Sequence, residues 1–175
     1  GLEFRRVLFR SAAPGGKTAM LQGTGTAVEL HPGRARELEE NLRRQRRTNV
    51  TVVDGDLREL AVDGFDRALV DAPCSGIGVL ARRPDLRWRA QPLAELQAEL
   101  LAAAAARVKP GGTIVYSVCT LNRDENEAVV DASGLAVESL ADEWPQFRHP
   151  ARPEFLLTTP HRHQTTGFFI ARLRK

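Results

Sequence analysis

Apolar residues along this chain alternate between short unbroken runs and longer stretches that beat every three or four positions. Thr26–Leu30 ("TAVEL") reads as a short strand, and Pro32 then opens a helical stretch in which Ala35, Leu38 and Leu42 share one face. Asn49–Asp56 and Phe65–Asp71 are the next two predicted strands. Pro92–Val108 predicts a long helix, with proline at its start and Pro110-Gly111-Gly112 beyond its end. Thr113–Thr120 is another buried strand, Arg123–Val130 a short helix, and Thr166–Lys175 a closing strand. Strands alternating with helices predict an α/β domain, a parallel sheet with helices on both faces.

In such sheets ligands sit beyond the carboxyl ends of the strands. Glu29, Asp56, Asp71, Cys74 and Cys119 all fall at or just past a predicted strand end. Ala12–Thr18 ("AAPGGKT") adds a tight glycine turn leading into a helix N-terminus with free N–H groups. It has the spacing of neither a P-loop nor a dinucleotide fingerprint. Glu29 is placed to accept hydrogen bonds from ribose hydroxyls, and Asp56 to meet the amino edge of an adenine, although either acid could equally be a turn or cap residue. Together they predict a pocket for an adenosine-type cofactor without a pyrophosphate.

Cys74 and Cys119 follow two strands joined by one crossover helix, so both thiols are expected to face one crevice. Packing as small hydrophobes, disulfide formation and metal binding are the competing readings. The turn sequence around Cys74, and histidines (His31, His149, His161, His163) that lie elsewhere with no four-ligand spacing, favour nucleophilic chemistry and no metal.

The chain has 175 residues, 42% hydrophobic and 27% charged, enough for one domain with a sizeable core. Two cysteines make no disulfide framework, so the cytoplasm is the expected compartment. No apolar run is long enough for a membrane span. The 25 basic residues exceed the 22 acidic ones only slightly. Most of the cations are arginines, which suit phosphate contacts but also follow from GC-rich coding.

Phe65–Gly76 ("FDRALVDAPCSG") resembles, along its whole length, the signature of the Sun/RsmB-type RNA (cytosine-5) methyltransferases. "AAPGGKT" is similar to that family's cofactor loop, Tyr116–Val130 to its second cysteine motif, and His161–Lys175 to its terminal strand. The resemblance implies a Rossmann-like class I methyltransferase sheet of seven strands, mostly parallel with the last strand antiparallel. It implies S-adenosyl-L-methionine as cofactor, held by Ser11, Ala12, Ala13, Pro14, Gly15, Gly16, Lys17, Glu29, Asp56 and Asp71. It assigns Cys119 as the nucleophile that adds to carbon 6 of cytosine, Asp71 as the acid at the N3 edge, and Cys74 as the group that assists release. The substrate it implies is ribosomal RNA (16S), with the chain expected to be a monomer.

The resemblance runs from about Ala12 to Lys175; Gly1–Arg6 ("GLEFRR") resembles nothing in the family, and residues 1–11 read as a non-family leader or junction that could stand in for the first strand, ahead of a catalytic domain over 12–175. Phe9 stands where the family carries an acid, Ser11 where it carries a cysteine, and Thr166 where it often carries an acid. The alternative is a truncated, inactive fragment or an RNA-binding module that keeps the fold. Arg82, Arg83, Arg87 and Arg89 crowd the stretch after Cys74 and are the expected RNA contacts. Trp88 among them is expected to pack on the domain, as tryptophans generally do.

Overall fold

A computed structural model describes residues 6–10, 15–20 and 23–175. The chain divides into two compact units, one of Gly1–Asp71 with Ala103–Ile114 and Lys175, the other of Ala72–Ala102 with Val115–Arg174.

The first unit carries the parallel strands β1 (Arg6–Arg10), β2 (Thr24–Glu29), β3 (Val50–Asp54) and β4 (Phe65–Asp71) in the order β3-β2-β1-β4. Helix α1 (Gly16–Ala19) is a single turn, whereas α2 (Pro32–Arg44) lays Ala35, Leu38 and Leu42 into the core as their spacing predicts. Residues 6–10 do form the first strand. In register, Phe9 lies beside Ala27 and Leu69. Its ring is buried with Val7, Ala27, Leu38 and Leu42, a burial worth about 2–3 kcal/mol relative to exposure. The neighbouring strand makes room by using Gly25, where a Cβ would stand 2.6 Å from Phe9 Cε2.

Helices α3 (Leu86–Arg89) and α4 (Ala94–Arg107) and strand β5 (Val108–Val118) follow. α4 and β5 are each divided between the units, α4 after Ala102 and β5 after Ile114. β5 begins directly after Arg107, so Pro110-Gly111-Gly112, expected outside any strand, lies within it. Gly111 takes φ +75°. Its N–H donates to Lys175 O at 2.8 Å, and Lys175 N donates to Gly112 O at 3.1 Å. Turn composition is overridden here by pairing with the chain's last residue.

The second unit holds α5 (Glu127–Ala132), β6 (Ala136–Glu138), β7 (Leu156–Thr158), α6 (Pro160–His163) and β8 (Phe168–Arg174). β8 pairs antiparallel with β7 along Phe168–Ile170 and with β6 along Arg172–Arg174. Strand order over the sheet is β3-β2-β1-β4-β5-β8-β6, with β7 also on β8. The described sheet thus has eight strands rather than the seven expected, mostly parallel with antiparallel strands near the C-terminus. The core of this unit stacks Phe155 and Tyr116 edge-on against Phe169 at 5.1 and 6.4 Å. Buried His149 accepts from Ala151 N and Arg152 N at Nδ1. Its Nε2 therefore carries the proton and donates to Glu127 at 3.0 Å.

Candidate active site

β5 ends at Val118, and the next residue is Cys119; Cys74 lies three residues past the end of β4. The turn around Cys74 is set by Ala72 N donating to Ser117 O at 3.1 Å and by Gly76 at φ +72°. A second tie follows at once: Gly78 N donates to Cys119 O at 3.1 Å, and Gly167 N donates to Gly78 O at 2.8 Å. The result is a pair of half-buried thiols, not joined in a disulfide, with their sulfurs 3.4 Å apart.

That contact couples the two thiols. The hydrogen bond to Cys119, burial, and the charge on Cys119 together push the Cys74 thiol far above the usual thiol range. An arrangement of one sulfur able to attack and a second able to donate or accept a proton beside it suits covalent addition followed by elimination. One carboxylate that sequence reasoning did not single out, Glu125, is fully buried behind both cysteine turns. Its neighbours Asn126 and Glu127 carry the same polar character, so nothing in the sequence marks it as internal.

The acids of the first unit divide by environment. Glu29 closes β2 opposite Asp54 and is 3% exposed. Its Oε1 accepts weakly from His31 N at 3.5 Å, and its buried Oε2 has no hydrogen-bond partner. A buried carboxylate oxygen left unpaired is costly unless a ligand donor meets it. Asp56 instead caps a short helical turn by accepting from Arg58 N at 2.9 Å. Hydrogen bonds from the Arg58 guanidinium then hold its carboxyl below the usual range. Both of its oxygens are engaged, so the cap reading of Asp56 is the one its contacts support. Asp71 pairs with Lys17 at 2.6 Å, joining two residues picked out separately in the sequence.

Arg10 was not singled out in the sequence. Burial lowers its pKa, and the negative fields of Glu29, Asp56 and Asp71 pull it back up. Gly15, at φ +105°, accommodates the left-handed turn into α1, but one helical turn is too short to act as an anion site by itself. Ser11, Ala12, Ala13 and Pro14 lie outside the described residues.

The arginine stretch forms α3 and the turn before it. Arg82, Arg83, Arg87 and Arg89 are all exposed. Asp85 engages Arg83 through two 2.9 Å hydrogen bonds and lies 4.0 Å from Arg89. Trp88 does not pack on the domain: it is 84% exposed. The inward position on α3 is taken by Leu86, whose Cδ1 lies 2.8 Å from where a Gly76 Cβ would stand, leaving the tryptophan to face out. Among the described residues no cluster of His, Cys, Asp and Glu could hold a metal ion, and no helix is long and apolar enough to cross a membrane.

Comparison with known proteins agrees with this geometry. The family described as 16S rRNA methyltransferase RsmB/F matches residues 3–174. A probable ribosomal RNA small subunit methyltransferase B from Synechocystis sp. is 42% identical over 185 residues, covering 94% of this chain and 42% of that protein. The chain thus spans less than half the length of that relative. Among solved structures, PH0851 superposes with a TM-score of 0.90 at 31% identity, over 98% of this chain and 43% of its own. NSun6 from Pyrococcus horikoshii, solved with SFG, gives 0.82 at 35% identity, over 97% of this chain and 47% of its own. The sheet is the Rossmann-like class I methyltransferase sheet, and the chain belongs to the 16S rRNA methyltransferase RsmB/F family.

Proposed function

We propose that this chain transfers a methyl group from S-adenosyl-L-methionine to carbon 5 of a cytosine in small-subunit ribosomal RNA, through a covalent bond between Cys119 and carbon 6. The observation that carries this reading is the pair of half-buried sulfurs 3.4 Å apart. Residues 12–175 act as the catalytic domain, and residues 1–11 supply its first strand.

Carbon 5 of cytosine is a poor nucleophile until a thiolate adds to carbon 6 and converts the ring to an enamine. The Cys119 sulfur forms that bond. Asp71 protonates or holds the N3 edge, taking up the negative charge that addition places on the ring. S-adenosyl-L-methionine, when bound, supplies the electrophilic methyl. Cys74 first releases its own proton to solvent, and as a thiolate it then accepts the carbon 5 proton as the Cys119–carbon 6 bond breaks. Two of the causes that hold the proton on Cys74 at rest come from Cys119 itself, its hydrogen bond and its charge. Both vanish once the Cys119 sulfur is bonded to carbon, which eases loss of the Cys74 proton after the adduct has formed.

Glu29 fits the cofactor best among the acids, because its buried Oε2 lacks a donor and a ribose diol would supply one. Glu29→Gln exchanges that acceptor for a donor, and calorimetric titration with S-adenosyl-L-methionine is expected to show affinity reduced about tenfold or more. An unchanged affinity would remove Glu29 from the site. If the unmodified chain itself binds no cofactor, the inactive-fragment reading replaces the catalytic one.

The exposed arginines and Trp88 give RNA a charged surface with a stacking ring. Arg83 is already engaged by Asp85, so Arg82 and Arg87 are the better test. Changing both to alanine is expected to weaken RNA binding about tenfold at low salt and flatten the log–log salt slope by about 1.4, at roughly 0.7 per single-strand phosphate. An unchanged slope would mean RNA enters elsewhere. Reduced thiols and a ribosomal substrate fit a cytoplasmic location, and the chain is proposed to act as a monomer. The decisive assay for the reaction incubates the chain with S-adenosyl-L-methionine and small-subunit ribosomal RNA and maps the product by bisulfite sequencing. A protected cytosine is expected; a methyl group found by mass spectrometry on any other atom overturns the assignment.

A further inference from the structure

Each cysteine is followed by a hydroxyl residue, Ser75 after Cys74 and Thr120 after Cys119, and both hydroxyls meet one carboxylate. Ser75 Oγ and Thr120 Oγ1 both donate to Glu125 Oε2, the latter at 3.2 Å, and the two hydroxyls lie 2.8 Å from each other. Ser75 N donates to Oε1 at 2.8 Å, as do Leu93 N at 3.1 Å and Gln97 Nε2 at 3.1 Å. The same Gln97 amide reaches Pro73 O at 2.8 Å, so Cys74 is tied on both sides. Glu125 is wholly buried, and Tyr116 Oη fixes its own backbone by donating to Glu125 O at 2.7 Å.

We infer that Glu125 is a positioning residue: its carboxylate holds the Ser75 and Thr120 hydroxyls together and thereby sets the separation of the Cys74 and Cys119 sulfurs. The chemistry explains why an acid stands here. Five donors converge from three stretches of chain, at Ser75, Leu93–Gln97 and Thr120, and a carboxylate, acceptor-only with two oxygens, takes them all. The cysteines themselves supply no comparable tie, since a thiol hydrogen bond is weak. This role rests on the proposed cysteine chemistry for its purpose, but the geometry it controls can be read without any catalysis.

A near-isosteric amide separates geometry from charge. In Glu125→Gln the amide oxygen can keep the three N–H donors. The amide nitrogen would face two hydroxyls, and both can rotate to accept. That variant should therefore keep the sulfur pair, whereas Glu125→Ala should release it. The probe is phenylarsine oxide, a trivalent arsenical that bridges two thiols only when they lie side by side. The unmodified chain is expected to bind it one to one. Glu125→Gln should stay within about threefold of that affinity, and Glu125→Ala should lose about tenfold or more.

If thermal melting shows Glu125→Ala unfolded, Ser75→Ala combined with Thr120→Val carries the test, because it cuts both hydroxyl ties and leaves the N–H bonds to Glu125 intact. It too should lose about tenfold. In methyl transfer the same variants should lower kcat, with Glu125→Gln restoring most of it and KM for S-adenosyl-L-methionine unchanged. Arsenical binding as tight as in the unmodified chain, in a folded Glu125→Ala or in the double variant, overturns the inference. If the arsenical results hold but carbon 5 of cytosine is not the methylated atom, the proposed reaction fails and the clamp stands.

Discussion

Cys119→Ala is expected to form no covalent adduct with RNA and to lose methyl transfer by about a thousandfold or more, because no other group replaces the attacking sulfur. Cys74→Ala is expected to behave differently. Addition to carbon 6 and methyl transfer go forward, but proton removal from carbon 5 loses its base, typically about 10²–10⁴-fold in rate. Protein joined to methylated RNA then accumulates and survives denaturing electrophoresis. The asymmetry follows from the two proposed roles of a pair whose sulfurs lie 3.4 Å apart: one sulfur attacks carbon 6 and the other takes the carbon 5 proton. Gel-shifted adduct from each variant, measured with labelled RNA and cofactor, checks both outcomes together. Adduct in Cys119→Ala and none in Cys74→Ala would exchange the roles. Adduct in neither, with activity retained in both, would end the cysteine mechanism.

The parts of this site legible in the sequence were those where chemistry and strand periodicity coincide. Asp71 and Cys74 stand out because an apolar run ends in an acid and a turn, and Cys119 because it closes another such run. The hidden parts depend on tertiary partners. β6 and β7 are three residues each, too short for a periodicity, and are held by pairing with β8. Glu125 reads as one polar residue in a polar helix start, and only donors from residues 75, 93, 97 and 120 make its burial affordable. Trp88 was misjudged for a related reason: a tryptophan's general tendency to pack lost to Leu86, two positions earlier, which fills the inward place. Asp56 shows the converse. Its hydrogen bond from Arg58 N is the cap that an acid after a strand ordinarily makes.

Gly78→Ala is expected to be the most destabilising single methyl added to the second unit. A Cβ there would overlap Gly167 O, and would lie 2.8 Å from Cys119 O and 2.9 Å from Gly167 C. All three atoms are backbone, so no side chain can swing aside, and the chain itself must shift. That shift breaks Gly78 N to Cys119 O and Gly167 N to Gly78 O, the two bonds that tie the segment after Cys74 to Cys119 and to the start of β8. Two lost buried hydrogen bonds and the overpacking strain sum to about 3–5 kcal/mol. For a chain of this size that lowers Tm by about 10 °C. Gly33→Ala is the matched control. It lies in the first turn of α2 with nothing within 4 Å of its would-be Cβ, so added helix propensity should leave stability unchanged or raise it by up to about 1 kcal/mol. Paired melts of the two variants test the argument. If Gly78→Ala melts within about 2 °C of the unmodified chain, less than 1 kcal/mol is at stake, and the close backbone crossing beneath Cys119 does not hold the cysteine turn in place.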